Sequence, residues 1–230
     1  MTARPQNGPY GDQELQMLTT MAAMQAEHNE QVHPDWQTQG YEYYRAIWVE
    51  CAELMDHFGW KWWKHQTPDL DQARLELVDI WHFGLSELLR DGVGLAEVLD
   101  GFADLPLQGS GNDEASATAS AADAAAFRAA VEDLAGATLA SQRFVLAPFV
   151  AACTALPMSY RELFELYIGK NVLNRFRQSH GYKEGTYRKL WDGREDNEHL
   201  VEVLAAEDAG APDIVETILE RLEARYASHS

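Results

Sequence analysis

Leu75-Glu76-Leu77-Val78-Asp79-Ile80-Trp81-His82-Phe83-Gly84-Leu85 decides the fold. Only Glu76, Asp79 and His82 interrupt its apolar run, and they recur every third residue, which groups them on one side of a helix rather than on alternate sides of a strand. A helix apolar around the rest of its circumference is normally buried by neighbours. Thr67-Pro68 offers an N-cap and a proline at the first helical position, and Asp91-Gly92 offers a stop, so the helix is predicted over 67–90.

The neighbours read the same way. A helix is predicted over about 40–57, where Ile47, Cys51 and Leu54 form a stripe, and another over about 12–32, with Leu15, Leu18, Met21 and Met24 or Gln25 on one face. Further helices are expected over 122–139 and over 142–156, the latter kinked or broken at Pro148. Ser159-Tyr160-Arg161-Glu162 has the form of a capping box and opens a helix reaching about 179. A glycine-rich, basic loop over 181–194 leads to an acidic tail with one last helix starting near Pro212. Alternating strand patterns and hairpin dipeptides between β-branched runs are missing. The chain is therefore expected to be all-α, a helical bundle in one domain over 1–230. The Ala-, Ser-, Gly- and Thr-rich stretch at 104–123 reads as a mobile surface connection.

Charge and composition narrow the function classes. Among 230 residues, 37 are acidic and 18 basic, a formal charge of −19, which excludes binding of nucleic acid or anionic lipid by bulk attraction. No window approaches the ~20 apolar residues of a membrane helix, and the first dozen residues are polar and proline-bearing rather than signal-like. Cys51 and Cys153 sit in apolar helical contexts without metal-type spacing, which fits buried free thiols, a reducing compartment and a cytoplasmic protein.

The chemistry concentrates in two acidic pairs. Glu50 and Glu53 on one helix, and Glu76 and Asp79 on the next, each stand at i and i+3, so the two carboxylates of a pair project from nearly the same side. A single pair of this kind is ordinary on a solvated face. Two pairs embedded in apolar surroundings are not, because converging buried carboxylates repel unless a cation joins them. Hard oxygen donors without cysteine favour Mg²⁺, or Mn²⁺, over zinc. The basic residues are concentrated too: the segment 161–194 carries eight of the 18 and four acids, a local +4 against −23 for the rest. Lys170, Asn174 and Arg177 lie along one helix face, and Lys183 and Tyr187 follow on the glycine-bounded loop, an arrangement suited to oligophosphate oxygens. Trp60-Lys61-Trp62-Trp63-Lys64 offers either core anchors or a stacking wall for a base. Gln25 and Asn29, one turn apart, offer an amide donor and acceptor to a base edge, and His82 is either a satisfied core histidine or a contact to phosphate or metal shell.

Glu50-Cys-Ala-Glu53, Trp60-Lys-x-Trp-Lys64, Glu76-Leu-Val-Asp79-Ile-Trp-His82, the run from Tyr167 through Gly-Lys-Asn-Val-Leu-Asn to Arg177 and the Glu-Asp-Asn197 ending together resemble the dimeric all-α dUTPases. These belong to a wider group of helical pyrophosphohydrolases that includes MazG-type enzymes. The resemblance implies that Glu50, Glu53, Glu76 and Asp79 hold Mg²⁺, with Glu50 or Glu53 taking the proton of the attacking water. It implies base contacts from Gln25, Asn29, Trp60 and Trp63, and phosphate or sugar contacts from His82, Lys170, Asn174, Arg177, Lys183, Tyr187 and Asn197. It further implies a homodimer hydrolysing dUTP, and also dUDP, at the phosphate chain. Two alternatives stand beside it: the same chemistry on dCTP or a broader set of non-standard triphosphates, and a non-catalytic helical interaction protein.

Overall fold

In the computed structural model, which describes residues 10–108, 121–207, 211 and 213–228, the chain is a bundle of helices. The helices are α1 (Asp12–Val32), α2 (Tyr43–Phe58), α3 (Leu70–Arg90), α4 (Leu95–Gly101), α5 (Ala121–Ser141), α6 (Leu146–Ala155), α7 (Tyr160–Ser179), α8 (Asp196–Ala206) and α9 (Ile214–Ser228). The helix α3 sits at the centre, packed against α1, α2, α6, α7 and α8. Its apolar sides explain that position: Leu75, Leu77, Val78, Ile80, Trp81 and Leu85 are all fully buried. Trp81 carries the largest part of this packing, with the rings of Phe102, Phe149 and Phe144 centred 5.2, 5.6 and 5.9 Å away.

Several predicted boundaries shift for local reasons. The cap of α3 is Asp69, whose side chain accepts from the Gln72 amide, so Thr67-Pro68 stays in the preceding loop. Pro148 makes no kink: α6 begins at Leu146, which puts the proline in the first turn, where no intrahelical amide is required of it. The Ser159 capping box forms as predicted, its hydroxyl accepting from the Glu162 amide and the Glu162 carboxylate accepting from the Ser159 amide at 2.7 Å. Two helices escaped the sequence reading. The first, α4, is only two turns long, and α8 is hidden in the acidic tail. The basic loop also contains a short antiparallel pair, β1 (Leu190–Trp191) and β2 (Arg194–Glu195). Most of the low-complexity connection, 109–120, lies outside the described residues.

The placement of α8 depends on Gly169. A Cβ there would lie 2.7 Å from the Leu204 side chain, so the missing side chain is what lets α8 close against α7. Both cysteines are buried and unbridged, and no helix among the described residues is long and apolar enough to cross a membrane.

Candidate active site

Helix geometry explains which acids converge. At 3.6 residues per turn, Glu50 stands about 60° from the centre of the buried Ile47, Cys51, Leu54 and Phe58 stripe, and Glu53 about a further 60° out. The consequence is visible. Glu50, Glu76 and Asp79 each bring a carboxylate oxygen within 4.8 Å of the other two, whereas Glu53 is exposed and stands outside this group. His57, seven residues after Glu50 and therefore on the same side of α2, places Nε2 3.5 Å from Glu76 Oε1. That spacing was the available signal for His57, and the sequence reading missed it.

The three carboxylates cannot all be charged comfortably. Burial, then the charges of Asp79 and Glu76, push the Glu50 carboxyl up to about 9, so it holds a proton and donates it in a hydrogen bond to Glu76. Burial pushes Glu76 up as well, but bonding to His57, the Lys170 charge and the Glu50 proton outweigh it and hold Glu76 below the usual range. Burial raises Asp79 against the opposing pull of Lys170. A cluster of oxygen donors that must retain a proton at neutral pH fits a hard divalent cation, which supplies the missing positive charge.

Across from the acids stand the cations of α7. Lys170, only 1% exposed, donates to Asp79 Oδ2 and to Asn197 Oδ1, both at 2.8 Å. Arg177 grips the wholly buried Asp196 with Nε and Nη2, both bonds 2.8 Å, and donates to Asn174 Oδ1 at 3.1 Å and to Asn197 Oδ1 at 3.2 Å. Tyr187 adds a third bond to Asp196, its hydroxyl donating at 2.7 Å. The first two residues of α8 thus hold both cations from behind. Asp196 was missed because the helix that carries it was missed.

Between acids and cations opens a cavity of about 300 Å³, lined by residues of α1, α2, α3 and α7 and by Trp36, Tyr41 and Tyr182 from the loops between helices. Of the residues predicted from sequence, Gln25, Asn29, Glu50, Asp79, His82, Asn174 and Arg177 line it. Lys170, Asn197 and Glu76 stand behind its wall. The structure places Trp60 and Trp63 elsewhere. Gly59 leaves α2 with φ +90°, and the Gln66 side-chain Oε1 accepts from the Trp60 and Lys61 main-chain amides, pinning the turn outward. The two tryptophans then pack edge-to-face on each other, half-exposed, 5.3 Å apart. Lys183, also outside the cavity, donates to the Val32 carbonyl at 3.4 Å, which ties the basic loop to the end of α1. The aromatic lining comes instead from Trp36, Tyr41, Tyr43, Phe83 and Tyr182.

At the end away from the acids, the polar side chains form a closed set. Ser86 Oγ donates to the His82 carbonyl at 2.9 Å and accepts from Gln25 Nε2 at 2.9 Å and Asn29 Nδ2 at 3.1 Å. Gln25 Oε1 lies 2.7 Å from both His82 Nδ1 and the Tyr167 hydroxyl. Burial keeps His82 uncharged, far below the usual histidine range.

A helical cavity with converging carboxylates at one end, buried cations opposite and a neutral amide-lined end defines a nucleotide pyrophosphohydrolase of the all-α class. The chain belongs to the dUTPase family, whose model matches residues 17–182 and so takes in most of α1 and all of α2, α3 and α7. That membership carries dUTP pyrophosphohydrolase activity with it. No match is found among curated proteins.

Proposed function

We propose that the protein hydrolyses dUTP, and also dUDP, releasing dUMP, with the phosphates at the acidic end of the cavity and the uracil at the amide end. The observation that carries this reading is the convergence of Glu50, Glu76 and Asp79 opposite Lys170 and Arg177. The three carboxylates would hold Mg²⁺ or Mn²⁺. Bound there, the ion would neutralise phosphate oxygens and help to orient water. Glu50, which lines the cavity, would lose its proton once a cation supplies the missing positive charge and would then be the carboxylate best placed to accept the water's proton, and Glu53 one turn on supports the site from its exposed rim. Lys170, Asn174, Arg177 and Asn197 stabilise charge on the phosphate chain. Tyr187 acts on it indirectly, by holding the Asp196 that grips Arg177, Lys183 ties the basic loop to α1, and His82 meets the sugar. Gln25 and Asn29 hold the base among the rings of Trp36, Tyr43 and Phe83, and the protein acts as a homodimer. We place this activity in one cytoplasmic domain spanning the chain.

A panel of dUTP, dCTP, dTTP and UTP with pyrophosphate detection tests the reading. Turnover should favour dUTP strongly. Equal rates on all four would refute selection for uracil.

A further inference from the structure

Gln25 and Asn29 both end in primary amides, and an amide alone is a poor reader of bases. Rotated by half a turn it exchanges donor for acceptor at almost no steric cost. Uracil and cytosine differ in that same exchange: uracil presents N–H at ring position 3 beside a carbonyl at position 4, and cytosine a bare nitrogen beside an amino group. A cavity built on free amides would therefore take either base. In this protein the amides are not free.

The order of donors and acceptors can be followed from a fixed point. The Ser86 hydroxyl has two acceptors in reach, the His82 carbonyl at 2.9 Å and Asn29 Oδ1 at 3.3 Å, and the shorter contact, to a main-chain oxygen that cannot donate, takes its one proton. Ser86 Oγ must then accept from Gln25 Nε2 and Asn29 Nδ2. The second N–H of Gln25 goes to Asn29 Oδ1 at 3.1 Å. Gln25 Oε1 is thereby turned toward His82 Nδ1 and Tyr167, and it accepts from both. The Tyr167 hydroxyl gives its one proton to Gln25 Oε1, the shorter contact at 2.7 Å, and its ring is held by stacking on His82 with centroids 4.2 Å apart. It follows that His82 carries its proton on Nδ1. Its Nε2, in a side chain 6% exposed, has no hydrogen-bonding partner among the described residues and remains an acceptor.

We propose that Ser86 and Tyr167 are positioning residues that lock the amides of Gln25 and Asn29 and the tautomer of His82 in a single donor–acceptor order, and that this order makes the cavity select uracil over cytosine. The proposal rests on the reading that the cavity takes a deoxyuridine nucleotide. Among the described residues, the hydrogen bonds of Ser86 and Tyr167 go to Gln25, Asn29 and main-chain oxygens, and none goes to Glu50, Glu76 or Asp79. Their effect is on which base is accepted, not on the hydrolytic step. Flipping the Gln25 amide in the intact relay would set its carbonyl against a Ser86 oxygen whose proton is already committed, leaving two acceptors face to face in a buried place.

The test is kcat/KM for dUTP and for dCTP in the full chain, in Ser86→Ala, in Tyr167→Phe and in Ser86→Thr, with thermal melting to establish that each is folded. Ser86→Ala removes the anchor and Tyr167→Phe the hydroxyl that fixes the Gln25 carbonyl, so each should lower the dUTP-to-dCTP ratio by about tenfold, through a relative gain on dCTP. Ser86→Thr keeps the hydroxyl and should keep the ratio. A merely structural loss lowers both substrates together. A ratio within about threefold of the parent in both Ser86→Ala and Tyr167→Phe would overturn the proposal. A parent protein that already turns over dUTP and dCTP equally would defeat the underlying reading as well, and this is seen before any variant is made.

Discussion

The two ends of the cavity are built on opposite principles. At the amide end every donor named in the relay meets an acceptor, no group is charged, and the main-chain carbonyl of His82 fixes the order. At the acidic end three carboxylates crowd within 4.8 Å, one retains a proton, and the nearby ammonium of Lys170 is shared between Asp79 and Asn197. The relay of the first end is closed as folded, leaving His82 Nε2 as its one open acceptor. The second is complete only with further positive charge, which is the physical difference between a part that recognises and a part that reacts.

Breaking the acidic end should have the largest effect. Replacing Glu76 by Gln or Asp79 by Asn removes a donor from the cluster without changing its shape, and kcat for pyrophosphate release from dUTP should fall on the order of a thousandfold. Turnover within a few-fold of the parent would show that these acids only fill space. Lys170→Met comes next. It leaves Asp79 and its acidic neighbours without their buried partner, so unfolding should be easier by about 2–3 kcal/mol, and kcat/KM should fall about a hundredfold; urea denaturation and kinetics on the same preparation measure both.

Stability against pH separates the two ends more finely. Without a divalent cation the folded Glu50 titrates near 9, above its ordinary 4.5, so the native state holds a proton that the unfolded chain releases, and stability falls as pH rises through that window. Asp79 and His57, both raised in the fold, act in the same direction. Glu76, lowered in the fold, contributes stability that is fully present above its ordinary value and is lost only on acidification. The melting temperature in chelator should therefore drop between pH 6 and pH 9. Mg²⁺ should raise it at pH 9 and shrink the difference, because a ligand of the native state stabilises it. A melting temperature that rises with pH in chelator would contradict the protonated cluster. The smallest effect belongs to the aromatic turn outside the cavity: Trp62, 91% exposed, should change stability by under about 0.5 kcal/mol when replaced by Ala, read from the same melts.

The sequence made most of this legible, and the exceptions have physical causes. The all-α class, α1, α7 and the acidic pairs could be read because long helices repeat their pattern over several turns and buried acids break an apolar one. Spacing grouped Glu53 with Glu50, since i and i+3 lie on nearly one side; the stripe of Ile47, Cys51 and Leu54 beneath them already set Glu50 inward, and the same signal, not applied to Glu53, sets it outward. The tryptophans were ambiguous for a different reason. A Trp cluster looks the same whether it lines a cavity or caps a turn, and the outcome hung on the φ of Gly59 and one amide of Gln66. Asp196 stood inside the Glu-Asp-Asn197 motif without a role, because its partners Arg177 and Tyr187 meet it only in the fold, and Ser86 was invisible as a single hydroxyl on an apolar helix whose meaning comes from residues 57 and 61 positions away.

The most direct measurement is the identification of products from dUTP with and without a divalent cation, by phosphorus NMR or chromatography. The account predicts dUMP and pyrophosphate in equal amounts with Mg²⁺, and no turnover in chelator or in Asp79→Asn. Formation of dUDP and inorganic phosphate, or undiminished turnover in chelator, would contradict it.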